Sequence, residues 1–186
     1  FLQQQLKPKE GEIVEIFNDF EQYHEEKPEF SSKLEELEFI SAKTNYKKSD
    51  GKVIGKHQGA HYFTIGQSKG LGIGGHKESC FMISRNMKEN LIFVGEGRNF
   101  PGLFREALKI ENADIHWVRE DLKLKNGETL EVSARIRYRQ PLEKAALFQF
   151  EEGLFIEFES PQSAIAEGQF AAWYDGEELL GSGVIS

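Results

Sequence analysis

Cysteine is almost missing from this chain: Cys80 is the only one in 186 residues. A single cysteine excludes an internal disulfide and a cysteine-rich zinc site, and it fits a reducing compartment. Cys80 reads as a small buried apolar residue, because the sequence shows no nearby base or cationic field that would make a reactive thiolate. Long apolar runs are missing too. No stretch approaches the roughly 20 residues of a membrane span, and the opening FLQQQLKPKE is not a signal peptide. The expectation is a folded, soluble, cytoplasmic protein. The chain starts with Phe1 rather than methionine, which reads as an excised fragment or a processed product. There is no G-x-S-x-G elbow, no G-x-x-x-x-G-K-S/T phosphate loop, and no carboxylate pair in a telling context. His24, His57, His61, His76 and His116 show no ligand spacing with an acidic or thiol companion, so no metal site is expected. These absences predict a chain that runs no reaction unaided.

Positive charge is also short: 23 Lys and Arg stand against 31 Asp and Glu, a net charge of -8. That sign argues against nucleic acid until its distribution is read. Residues 1–40 carry 4 basic and 11 acidic groups, residues 41–85 carry 8 and 2, and residues 86–186 carry 11 and 18. A basic island between two acidic arms is either a phosphate-contacting face or a solvated, lysine-rich loop.

What is present centres on Gly59–Gly75, GAHYFTIGQSKGLGIGG, with five glycines in its last ten residues. Such density implies left-handed turns or close approach of another chain, and the composition changes on either side, so the stretch reads as a seam between two modules. Gly70–Gly75 satisfies G-x-G-x-x-G. A dinucleotide fingerprint also needs a helix starting at the last glycines, whereas His76–Ser84 reads as turn and strand, so a Rossmann site is rejected. Gln67 and Lys69 are placed to offer an amide and an ammonium to a phosphate or a base; a structural hinge is the alternative.

Before this seam, Glu12–Phe17 and Lys52–Lys56 read as strands, and Phe1–Leu6 as the tail of a helix. Asn18–Lys48 is polar and acidic. Within it, Ser31 or Ser32 caps a helix through Leu34, Leu37 and Ile40, with Glu35 completing a capping box with Ser32. This insertion, at about 18–49, is expected to pack lightly on the surface or be partly mobile. After the seam the pattern is β: Ser79–Ser84, Asn90–Gly95, Glu106–Trp117, Thr129–Arg139, Lys144–Phe150, Gly153–Phe158, Gln169–Tyr174 and Glu178–Ile185. A phase slip between Leu108/Ile110 and Ala113/Ile115/Trp117 predicts a bulge near Asn112. The fold expected is mainly β: a small mixed α/β domain over 1–78, then a closed antiparallel barrel over 79–186.

Arg135, Arg137 and Arg139 alternate in the expected strand, so they share one face, with Ile136 and Tyr138 on the other. Arginines there suit phosphate contacts, and a tyrosine nearby can stack on an unpaired base. Pairing of the arginines with Glu128, Glu131 or Glu143 is the alternative.

Three stretches together resemble one family: His57–Gly75, Arg135–Gln140 (RIRYRQ), and the run from Pro161-Gln162 through Glu167-Gly168-Gln169 and Trp173–Gly176 to Leu180–Ile185. They are similar to the C-terminal half of bacterial tRNA-specific 2-thiouridylases. The resemblance implies a central domain plus a barrel like those of translation factors. In the parent enzyme, ATP (with Mg) activates the C2 carbonyl of the wobble uridine, and a cysteine persulfide delivers sulfur. The ATP-pyrophosphatase loop and both functional cysteines would lie upstream of Phe1, and Cys80 matches neither. By motif position, Arg137, Tyr138 and Gln169 correspond to tRNA-contacting places. Ser68 stands where the family usually has Arg, Glu167 where it usually has Pro, and the 18–49 insertion is untypical. The expectation is a monomeric, tRNA-binding portion without catalytic residues or cofactor of its own. The alternative is a protein-interaction barrel whose insertion, through Glu25, Glu26 and Glu29, docks a basic sulfur-carrier protein.

Overall fold

The computed structural model describes residues 9–186. The helix tail expected at Phe1–Leu6 lies outside the described residues. The chain forms two compact units. The first takes in the described residues up to Lys27 together with Lys43–Phe104, and the second Pro28–Ala42 together with Arg105–Ser186.

In the first unit, β1 (Gly11–Glu15), β2 (Lys52–His57), β3 (Cys80–Asn86) and β4 (Leu91–Glu96) form a sheet in the order β2-β1-β4-β3. β1 and β4 run parallel, and the other neighbours antiparallel. Both faces of this sheet are covered. Ile13, Met82, Ile92 and Val94 pack on one side with Ala60, Leu71 and Cys80. Val14, Ile83, Leu91 and Phe93 pack on the other with Ile16, Tyr46, Phe100 and Leu103. A strand buried on two faces reads as an unbroken apolar run, as in Leu91-Ile92-Phe93-Val94, and not as an alternation. Such a run says nothing about which sheet the strand joins. The sequence reading puts β3 and β4 in a barrel starting at residue 79; they belong to this sheet, and the second unit resumes at Arg105.

The second unit holds β5 (Phe104–Trp117), β6 (Thr129–Arg135), β7 (Glu143–Phe150), β8 (Gly153–Ser163), β9 (Phe170–Asp175) and β10 (Glu178–Ile185). They close into an antiparallel barrel in the order β10-β5-β8-β7-β6-β9. Its interior is filled by Leu108, Ile110, Ala134, Leu147, Leu154, Ile156, Ala171 and Leu180 around Trp117 and Trp173, whose rings meet edge to face at 5.4 Å. Gly181 passes over the Trp173 indole so closely that a Cβ there would lie 2.5 Å from Cζ2, which only glycine allows. The slip expected near Asn112 is present: Gly183 pairs with Ile115 but Ile185 with Ile110, so β5 carries the extra residues.

The helix of the insertion, α1 (Lys33–Ser41), belongs to this second unit and not to the first. Leu37 and Ile40 are buried against Ala107 and Phe155 of the barrel wall, and Lys33 donates to Glu157 at 2.8 Å while lying over the Phe148 ring. The light surface packing expected for it is therefore corrected: a thin stripe of two residues suffices when the wall opposite is also apolar. The Ser32 hydroxyl accepts from the Glu35 N–H, but the Glu35 carboxylate reaches back to the backbone N–H and hydroxyl of Ser31, so the reciprocal half of the box falls on Ser31. Among the described residues, no helix is long and apolar enough to cross a membrane.

Candidate nucleic-acid interface

β6 stops at Arg135, four residues before the expected end. Pro141 cannot donate to a ladder, and Gln140 N–H bonds back to the Arg137 carbonyl at 3.1 Å, folding 137–140 into a turn. The three arginines consequently do not share a strand face. Ile136 is buried beneath the turn, while Arg137, Tyr138 and Arg139 are exposed at its tip.

Each arginine has its own surroundings. Arg135 reaches across to β9, where its guanidinium donates to the Tyr174 hydroxyl at 2.7 Å and lies 5.0 Å from that ring. It also donates to the Tyr138 carbonyl and sits 5.4 Å from the Tyr138 ring. Tyr138 is 85% exposed. Burial cannot explain a phenol so presented, and a guanidinium on one face leaves the ring's other face available to a flat, polarisable partner. Arg137 donates to the Ala164 carbonyl at 2.7 Å. Phenol and carbonyl acceptors leave the guanidinium charge in place.

Ala164 begins the loop between β8 and β9. Its next carbonyl, that of Ile165, accepts from Arg105 at 2.7 Å; burial pushes the Arg105 guanidinium down to about 10, so it stays charged at neutral pH. At the far end of the loop Gln169 is pinned by its backbone: its N–H donates to Ala166 and its carbonyl accepts from Ile185. The Gln169 side-chain oxygen is buried and has no hydrogen-bond partner among the described residues. Arg137 and Gln169 thus meet through one loop, which also carries exposed Glu167. Gln140 donates to buried Gln162 at 2.5 Å, and Gln162 to the Ser160 carbonyl, fastening the turn to β8.

Gln67 and Lys69 lie on the first unit. The Gln67 amide is already engaged, accepting from Thr64 N–H at 3.1 Å and donating to the Lys69 carbonyl at 2.8 Å. Its backbone and that of Gly66 clamp Met82. Gln67 therefore shapes the loop, while the Lys69 side chain is exposed. Gly66, Gly70, Gly72 and Gly75 all have positive φ, and strand β3 follows where a dinucleotide site needs a helix.

One cluster escaped the sequence reading. His76, at the end of the glycine-rich loop, has both an acidic and a thiol companion: its Nε2 is 2.9 Å from the Glu15 carboxylate, and Cys80 Sγ lies within 4.8 Å of both. The spacing His76-x-x-x-Cys80 was the available signal. Cys80 is buried as expected, and burial, with the carboxylates of Glu15 and Glu96, pushes its thiol up to about 11, which excludes it as a free nucleophile at neutral pH.

Two family patterns match the chain: the tRNA methyl transferase PRC-barrel domain over residues 38–96 and the aminomethyltransferase beta-barrel domain over residues 107–185. The tRNA-specific 2-thiouridylase of Flavobacterium johnsoniae is 57% identical over all 186 residues, which cover 47% of that protein. That of Christiangramia forsetii is 53% identical over the same span and covers 47%. That of Halalkalibacterium halodurans is 40% identical over 137 residues, 73% of this chain and 36% of the relative. The chain spans about half the length of the first two relatives.

Proposed function

Since this chain belongs to the tRNA-specific 2-thiouridylase family, we propose that it supplies the grip on tRNA, steadying the anticodon loop while the wobble uridine is thiolated at C2. In this reading Arg137 contacts a phosphate, Tyr138 stacks on an unpaired base, and Gln169, whose side chain is half-buried, turns its unpartnered amide oxygen outward to read a base edge. Lys69 adds charge from the glycine-rich loop, and Gln67 holds that loop in shape. ATP, its magnesium and the sulfur-bearing thiols are handled by residues other than these, and the chain presents the substrate.

The observation that carries the reading is the exposed Tyr138 ring backed by Arg135, beside an Arg137 tied to the loop that ends in Gln169. Stacking on aromatic rings and guanidinium contact with phosphates are how single-stranded RNA is held.

Titration of fluorescent tRNA bearing a wobble uridine tests it. Binding should weaken steeply with salt. Arg137→Ala should weaken it for every tRNA alike and reduce the salt slope by about 1, and Tyr138→Ala should cost about 1–3 kcal/mol with little change in slope. Equal affinity of both variants and the parent at low salt would retire the reading.

A further inference from the structure

Glu15 ends β1, His76 ends the glycine-rich loop and Cys80 begins β3, so three separate segments of the first unit converge on one point. Their carboxylate oxygen, imidazole nitrogen and sulfur all lie within 4.8 Å of one another. Zinc bonds of about 2.0–2.3 Å in a tetrahedron put ligand atoms about 3.3–3.7 Å apart, so one ion reaches all three with adjustments of under about an ångström. Burial argues in the same direction. Glu15 is 7% exposed and Cys80 6%, and a carboxylate withdrawn from water needs a strong counter-charge. The ion-pair partner of Glu15 is His76, charged only when protonated.

The fourth position is also provided for. A cavity of about 390 Å³ opens beside the cluster, lined by the glycine-rich loop with His76 and Cys80 in its wall. It is wide enough for an ion to enter and for a water to complete the shell. Glu96, the cross-strand neighbour of Cys80, adds negative charge at the same edge.

We propose that Glu15, His76 and Cys80 bind a divalent, borderline-soft metal ion of the zinc class, with water from the adjoining cavity as fourth ligand. A thiolate and an imidazole select against magnesium and calcium, which take oxygen. The ion fixes the end of the glycine-rich loop to β1 and β3, and its bond to sulfur replaces the thiol proton. The site stands independently of the tRNA reading, since none of its three residues is assigned a contact with RNA.

The test strips the whole chain with a chelator and returns Zn²⁺ in competition with a chromophoric chelator, then Co²⁺ followed by absorption. One equivalent of Zn²⁺ should be taken up, the melting temperature should rise with zinc, and Co²⁺ should show a thiolate charge-transfer band with four-coordinate d–d bands. Cys80→Ser should abolish that band. Cys80→Ser and His76→Gln should each weaken zinc binding by more than about 100-fold, beyond the loss of an outer-shell partner, whereas His116→Gln in the barrel should change nothing. Uptake well below one equivalent, a cobalt spectrum without the sulfur band, or Cys80→Ser binding zinc as tightly as the parent would each overturn the proposal. The stoichiometry and the cobalt spectrum use the parent chain alone, so a variant that fails to fold does not shield it.

Discussion

The guanidinium of Arg137 is bonded at 2.7 Å to the carbonyl of Ala164, a residue held in the left-handed region at φ 57°. A side chain in that region costs about 1–2 kcal/mol, so the arginine holds a strained loop while its own Cα stands at an exposed turn. Ala164→Gly should therefore leave barrel stability unchanged or raise it by up to about 1 kcal/mol in urea unfolding. A loss larger than that would show that the backbone there is not under strain.

Arg135 joins two aromatic rings, and its value lies in orienting Tyr138. In tRNA titrations, Arg135→Ala and Tyr138→Ala should be non-additive, with a coupling of about 0.5–2 kcal/mol. Tyr174→Phe removes only the hydroxyl acceptor and should have the smaller effect. Strict additivity would separate the arginine from the ring.

At Gly181 the close approach of Trp173 leaves no space for a methyl group. Gly181→Ala should destabilise the barrel by about 1–3 kcal/mol and shift tryptophan emission, because the indole must move. A variant with the parent's midpoint and spectrum would contradict the packing.

The insertion helix should behave as part of the barrel. Leu37 is fully buried against the wall, so Leu37→Ala should cost about 2–5 kcal/mol in the unfolding of the second unit. Hydrogen exchange should show α1 and β8 opening together. Loss of protection confined to α1 would mean that it only rests there.

His57 is buried, and its ring accepts the Gly59 N–H at 2.9 Å, which requires a neutral imidazole nitrogen. Burial, with a smaller push from neighbouring His61, holds its proton affinity below the usual value near 6.5. The unfolded chain thus takes up the proton first. Stability from this group is complete above about pH 6.5 and falls as pH drops toward the depressed folded value. The urea midpoint of the first unit should fall between pH 7 and 5, and His57→Gln should flatten that slope. An unchanged slope would place the dependence on the carboxylates.

Legibility followed physical range. The strands of the barrel, the bulge near Asn112 and the Ser32 cap could be read because each is written in residues a few positions apart. The end of β6 was overrun because Arg135–Arg139 keeps the alternation of a strand; the Gln140-to-Arg137 bond that folds it back is set by the turn's packing. Gln67 carried the right motif, but what its amide bonds to depends on Thr64 and Lys69 in the folded loop.

By itself the sequence determined the β-rich architecture and the family, since periodicity, turn residues and motif spacing are properties of neighbours along the chain. The tertiary structure alone decided that β3 and β4 join the first sheet, that α1 belongs to the barrel, and that Glu15 meets His76 and Cys80. Those are contacts between segments up to 124 residues apart, and apolar burial, which drives them, has no direction of its own. Which face meets which is settled only when the whole set of surfaces is packed at once.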